Sequence, residues 1–214
     1  IAKTREVEGK TQVYMQLKSG ESIILQTFTR SLQGEPEWKY RKEMDYSLSL
    51  DHGWKLRFVE SYPAIEGEFK IDTPSSWTEI AHPAAKINRG TALYSLELDL
   101  PELSADDWVL DLGDVRESAR VRINGQEAGI AWAAPFRLSI GQLLKSGKNL
   151  IEVEVTNLPA NSIAEMDRQG KQWRIFEDIN MAKLNYEKGT YGHWETLPSG
   201  LNGIVRLIPV KYLF

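Results

Sequence analysis

The chain is predicted to be all-β, an antiparallel jelly-roll β-sandwich with one short helix. Three observations predict this class. Apolar and polar residues alternate with a period of two in run after run. Turn-forming residues separate many of these runs at intervals of about 10 to 15 residues, too short for crossover helices. Signals for a helix boundary occur in one place only, around Ser162.

The elements follow in order. Lys18-Ser19-Gly20-Glu21 divides two early strands, expected over roughly 12–17 and 22–29. Gly34 to Tyr40 is the least patterned stretch near the start. A boundary there leaves residues 1–45 as strands from, or linking to, a preceding domain, and 46–214 as the sandwich. Trp54, Leu56 and Phe58 alternate with Lys55 and Arg57; Tyr94, Leu96, Leu98 and Leu100 with Ser95, Glu97 and Asp99. Trp108, Leu110 and Leu112 alternate with Asp107 and Asp111, Val121 and Ile123 with Arg120 and Arg122, and Ile151, Val153 and Val155 with Glu152 and Glu154. Each run places its apolar side chains on a buried face and its charges on a solvated one. Asn124-Gly125 is a type I′ hairpin signal, since both central residues of that turn need positive φ. Lys145 to Asn149 turns the chain into the Ile151 strand, and Pro198-Ser199-Gly200 precedes the last apolar run, Ile204 to Ile208. Ser162 and Glu165 have capping-box spacing and Gly170 can close the helix they open, giving about eight residues.

Composition narrows the function classes. Twenty-six basic against 30 acidic side chains give a net charge of −4, the opposite of a nucleic-acid-binding footprint. No apolar run approaches the ~18 residues of a membrane span, so no membrane partner is expected. With 0 cysteines there are no disulfides, thiolate nucleophiles or cysteine metal sites. The chain opens on Ile1 rather than Met, with nothing near it resembling a signal peptide, and reads as a piece of a longer one.

The usual catalytic motifs are missing. There is no GxSxG, GxxxxGK[ST] or GxGxxG, and His52, His82 and His193 lie far apart without metal-ligand spacing. Glu152 with Glu154 and Glu97 with Asp99 are the close carboxylate pairs, but spacing of two on a strand sends both members to the outward face. Asp111 and Asp114 flank Gly113 in a turn, where calcium could find oxygen ligands; turn formation is the commoner use of such aspartates. No other cofactor is expected, and the chain by itself is expected not to be catalytic.

Tryptophan stands out, with 7 in 214 residues. Trp54 and Trp108 are in phase with apolar strand faces and belong to the core. Trp38, Trp77, Trp132, Trp173 and Trp194 lie in turn-rich or irregular stretches, where an indole face can stack on the C–H face of a sugar, cover a sandwich end, or meet a neighbouring domain.

One ordered string is familiar. Leu110-Asp111-Leu112-Gly113-Asp114-Val115, then Val121-Arg122-Ile123-Asn124-Gly125, Gly129, Trp132, Pro135-Phe136-Arg137 and Gly147 through Asn157 resemble the sugar-binding jelly-roll domain of glycoside hydrolase family 2 and its relatives. Leu197-Pro198-Ser199-Gly200-Leu201 through Leu207 resembles the ending of the C-terminal domain of family 106 α-L-rhamnosidases; Trp77 and Gly90 to Tyr94 fit the same pattern. The resemblance covers roughly residues 50–214 and implies a galactose-binding-domain-like module at the C-terminal end of a large bacterial polysaccharide-degrading enzyme, periplasmic or secreted, whose catalysis resides in a separate (β/α)₈ barrel. Such a module binds plant or host glycan or buttresses the catalytic domain of its own chain; a purely structural domain without sugar affinity and an autonomous glycosidase are the alternatives. The insert at 158–196 exceeds the connection the family leads one to expect.

Residues 171–197 lose strand periodicity yet hold Trp173, Phe176, Tyr186, Tyr191 and Trp194. Long aromatic loops of this kind are often functional. The expected ligand surface is therefore Trp173, Tyr191 and Trp194, with Trp132 near it and Arg168 offering its forked donors to hydroxyls or a uronate. The competing expectation is that the same rings dock the catalytic barrel.

Overall fold

The computed structural model describes residues 1–30, 32–102, 104–174 and 190–214, and the architecture is an antiparallel β-sandwich with one α-helix among these residues. In chain order the strands are β1 (Thr4–Val7), β2 (Lys10–Val13), β3 (Arg41–Glu43), β4 (Leu48–Ser49), β5 (Trp54–Tyr62), β6 (Glu68–Ile71), β7 (Arg89–Leu100), β8 (Asp107–Asp111), β9 (Val115–Arg116), β10 (Ser118–Ile123), β11 (Gln126–Ala131), β12 (Arg137–Ser139) and β13 (Gly147–Thr156). Helix α1 (Ala160–Arg168), β14 (Gly200–Leu201) and β15 (Arg206–Tyr212) complete the set. One sheet has six strands in the order β11-β10-β13-β7-β5-β6. The facing sheet has five, β12-β8-β15-β3 with β4 also on β15. A short β14–β9 ladder lies apart from both.

The alternation read from sequence fixes the inner faces. Trp54, Leu56 and Phe58 of β5, Tyr94 and Leu96 of β7, Val121 and Ile123 of β10, and Ile151, Val153 and Val155 of β13 are all buried, and they share one core with Trp108, Leu110 and Leu207 of the other sheet. Asn124 (φ 53) and Gly125 (φ 79) form the tip of the β10–β11 hairpin. Asn124 does more than turn the chain. Its amide donates to Leu143 O and Asn149 Oδ1, both at 2.9 Å, and its Oδ1 accepts the Leu150 N–H at 3.0 Å.

Four expectations need correction. Residues 22–29 are not a strand and the early strand ends at Val13, because 14–18 is fastened to the sandwich by side chains rather than by a ladder. Gln16 Oε1 accepts the Arg41 N–H and its amide donates to Arg41 O, both at 2.8 Å, while Lys18 pairs with Glu43. Asp107, expected in solvent, is only 4% exposed. Trp77, read in an irregular stretch apart from the core tryptophans Trp54 and Trp108, is 0% exposed in the core beside Phe58. Ser162 is not the cap of α1. The helix starts at Ala160 after Pro159, whose ring fixes φ near the helical value, and Ser162 is already inside the first turn, where its hydroxyl accepts from Arg89 at 3.4 Å. The C-terminal end agrees with expectation: Gly170 (φ 64) donates to Asp167 O at 3.0 Å and Lys171 N to Met166 O at 2.8 Å, a Schellman closure.

The expected boundary near residue 45 falls just beyond β3, which pairs with β15 inside the five-stranded sheet (Glu43 opposite Val210). Tyr14, Tyr40 and Phe214 make a triangle of edge-to-face rings with centroids 4.9, 5.8 and 5.9 Å apart, which anchors the β1–β2 hairpin to the C-terminal strand.

Candidate functional site

Helix α1 emerges from β13 and organises the aromatic loop. Asn161 is buried and grips Leu197 from both sides: its amide donates to Leu197 O and its Oδ1 accepts the Leu197 N–H, each at 2.8 Å. The return of the chain to the helix is thus fixed at residue 197. Nearly two turns further along α1, Asp167 Oδ1 accepts the Trp173 indole N–H at 2.6 Å and Oδ2 accepts the Tyr191 backbone N–H. Both ring-bearing segments, 173 and 191, hang on this one carboxylate.

The rings then pack against one another in sequence, with interplanar angles of 50° and 51°. Trp173 and Tyr191 centroids are 5.7 Å apart, and Tyr191 and Trp194 4.6 Å. The Arg174 guanidinium lies 4.9 Å from the Trp173 ring and 5.4 Å from Tyr191, within cation–π range of both. Arg168 reaches Gly192 O at 3.0 Å and Trp194 O at 3.4 Å, and its Nε donates to Glu165 Oε2 at 2.9 Å.

Of the expected site residues, then, Trp173, Tyr191, Trp194 and Arg168 form one cluster. Trp173 and Tyr191 are half-buried, and Trp194 is 41% exposed. Phe176 and Tyr186 lie outside the described residues. Trp132 stands elsewhere. Ala131 opposes Ala119, which opposes Val155, so Trp132 is at the same end of the six-stranded sheet as α1 but two strands away, roughly 10 Å across the backbone. It is 76% exposed and lines a groove with residues 16–23 and Trp38. Asp167, the hub of the cluster, escaped the sequence reading. A helical aspartate six residues before a tryptophan gives no signal until Gly170 turns the chain back.

Hydrogen bonds from Trp173 and Tyr191 hold the Asp167 carboxyl below its ordinary value of 3.8. Bonds from Arg168 and Gln169 depress Glu165 in the same way. A carboxylate with a depressed folded-state pKa supports the fold fully above its unfolded value, and that support fades as pH falls through the lower folded value. The aromatic cluster is therefore expected to loosen only below about pH 4. Indole fluorescence or the Trp173 Nε1–H resonance followed through an acid titration reports this. Asp167→Asn removes the transition, and a transition that persists in that variant belongs to another group.

Three of the remaining carboxylate candidates are engaged in sheet faces and turns. Glu154 takes Arg122 at 2.6 Å, Asp111 accepts the Gly113 N–H at 3.0 Å and pairs with Arg137 at 2.5 Å, and Asp114 pairs with Arg116 at 2.9 Å. Among the described residues no group of three or more His, Asp or Glu side chains converges as metal ligands. Nor is any helix among them long and apolar enough to cross a membrane.

No family model matches the chain. A protein of Formosa agariphila described as a candidate beta-glucuronidase is 29% identical over 197 residues, which are 83% of this chain and 17% of that protein. Among solved structures, the rhamnosidase from Novosphingobium sp. PP1Y superposes with a TM-score of 0.60 at 26% identity, covering 85% of this chain and 16% of its own. The beta-D-glucuronidase of Dictyoglomus thermophilum shares the fold, with a TM-score of 0.54 at 18% identity over 79% of this chain and 29% of its own. The chain thus spans about a sixth of the length of the first two, and it is a β-sandwich domain related to glycoside hydrolases.

Proposed function

We propose that the chain is a non-catalytic module of a longer, exported glycoside hydrolase of α-L-rhamnosidase type, and that it buttresses the catalytic part by seating the α1 end of the sandwich against it. The observation carrying this reading is the inward direction of the polar groups in the aromatic cluster. A sugar site needs ring faces flanked by open donors and acceptors. Here both Asp167 oxygens are bound within the cluster and the Arg168 fork holds Glu165, Gly192 and Trp194. The exposed Trp194 ring suits an apolar contact with protein. The match to a sixth of much longer glycosidases supports a modular role, and the paired carboxylates Glu152/Glu154 and Glu97/Asp99 sit along strand faces rather than across a cleft.

The test uses the full-length protein. Trp194→Ala is expected to leave the melting temperature of the separate chain nearly unchanged. In the full-length protein it should split one cooperative melting transition into two and lower hydrolysis of an aryl α-L-rhamnoside. Equal effects in both contexts would exclude docking. Hydrolysis by the separate chain, abolished by a substitution within it, would exclude the non-catalytic assignment.

A further inference from the structure

We propose that the groove between Trp38 and Trp132 is a second functional surface, a binding site for one neutral pyranose unit of a glycan. The groove holds about 420 Å³, in the lower range of small-molecule sites and ample for one sugar ring. One wall is the segment 16–23 with Trp38, the other Ile130 to Pro135. Trp38 is 57% and Trp132 76% exposed, although burying an indole stabilises a protein by more than almost any other side chain. Two such exposed rings line one groove, and an indole face is the natural partner for the flat C–H face of a sugar.

The site is preformed. Gln16 and Arg41 exchange hydrogen bonds, fixing the first wall to β3. Gly20 approaches the opposite wall so closely that a Cβ there would lie 3.1 Å from Ala134 O. Beneath both, Lys18, Glu43, Arg137 and Asp111 form a continuous chain of ion pairs.

Charge selects the ligand class. Arg137 is the one cation and Glu21 the one anion among the lining residues. Arg137 is held by Glu43 at 3.0 Å and by Asp111 at 2.5 Å, so a uronate or sulfate would have to compete with two carboxylates already in place. Glu21 Oε2 accepts the Lys18 N–H at 2.9 Å, and Glu21 and the neighbouring Ser22 are both exposed. An acceptor-rich rim with compensated positive charge favours sugar hydroxyls over anions. The volume favours a sugar over a protein, whose interface would span a far larger and flatter patch.

This inference rests on the module reading only for the first choice of sugar. The chain, labelled with ¹⁵N, is titrated with methyl α-L-rhamnopyranoside, xylohexaose and glucuronate while its indole N–H resonances are followed. The expected result is a saturable shift of two indole signals with a neutral sugar, the two identified by their loss in Trp38→Ala and Trp132→Ala. Either substitution should weaken binding at least tenfold with the melting temperature preserved, since both rings are exposed. Glucuronate binding as tightly as the neutral sugars would overturn the ligand class. No saturable shift with any of the three, or binding that survives both substitutions, would overturn the site. Failure here leaves docking at the α1 end standing, because that is read from coupled melting in the full-length protein; failed docking likewise leaves the sugar titration intact.

Discussion

Gly200→Ala is expected to destabilise the sandwich strongly for a change of one methyl group. Gly200 has φ +97, and a Cβ there would overlap the Tyr94 hydroxyl and lie 2.8 Å from Trp77 Cε3. Neither ring can move aside. Both are fully buried, and the Tyr94 hydroxyl accepts the Leu201 N–H at 3.1 Å, tying the ring to the very strand that would push on it. Burial also pushes the Tyr94 phenol well above its ordinary pKa. The left-handed backbone costs an alanine about 1 kcal/mol, and overpacking against fixed rings adds about 2 to 3 more. The sum lowers the melting temperature by on the order of 10 °C for a chain of this size. Gly125→Ala is the control: φ is +79, but nothing lies within 4 Å of its Cβ position, so only the backbone cost applies. Thermal melts of the two variants separate steric from conformational loss. Equal destabilisation would show that the Tyr94–Trp77 overlap does not matter.

That prediction explains why the string Leu197 to Leu201 stood out in the sequence. Ser199 accepts the Trp77 N–H through its carbonyl at 3.0 Å, its own N–H reaches Ser76 Oγ at 2.9 Å, and Gly200 pairs opposite Arg116. The motif closes one end of the core over an indole. Its chemistry is packing, which the sequence showed only as a turn before the last apolar run and as a family resemblance.

Other features were hidden for physical reasons. Period two tells which face a side chain takes but not what covers that face. Asp107 and Val109 do alternate away from the main core, yet Val109, Ile208 and Val210 form a second buried cluster, with Gln16 and Lys18 fastened to β3 beside it. Ser162 and Glu165 mimic a cap because residues three apart share a helix face whether the helix begins at them or earlier. Arg168 was rightly placed late in the helix, but its partners are carbonyls 24 and 26 residues away, a closure that no local pattern encodes. Trp77 and Trp132 occupy equally irregular stretches of sequence and end at opposite extremes of exposure. Only the Ser76–Ser199 contacts, which span 123 residues, distinguish them.

Asp107→Ala is expected to produce the second large loss, because this carboxylate joins three elements of the five-stranded sheet. Oδ1 accepts the Trp108 N–H at 2.8 Å and the Gly141 N–H at 3.0 Å; Oδ2 accepts the Ser139 hydroxyl and faces the Arg41 guanidinium at 3.5 Å. Alanine would strand the Trp108 and Gly141 backbone donors at a position only 4% exposed, whereas the Ser139 hydroxyl belongs to an exposed residue that water can reach. Each buried unsatisfied donor costs about 1 to 3 kcal/mol, and the terms overlap, so a total near 3 kcal/mol is expected. Asp107→Asn keeps an Oδ1 acceptor for the two amides but turns an NH₂ toward Arg41 and Ser139, and should fall about midway between parent and alanine variant. The Arg41 pair itself adds little, since that guanidinium is 41% exposed and the separation is long. Arg41→Ala should therefore cost less than about 1 kcal/mol. Denaturant melts of the three variants decide the matter. If Asp107→Asn is as damaging as alanine, or Arg41→Ala matches either, charge pairing rather than satisfaction of the Trp108 and Gly141 amides holds this edge of the sandwich. Hydrogen exchange localises the effect: the β8–β12 rungs at Asp111–Arg137 and Val109–Ser139 should open first, while the β7–β13 ladder keeps its protection. Because Arg137 forms part of the Trp132 groove, the same opening should also loosen that groove.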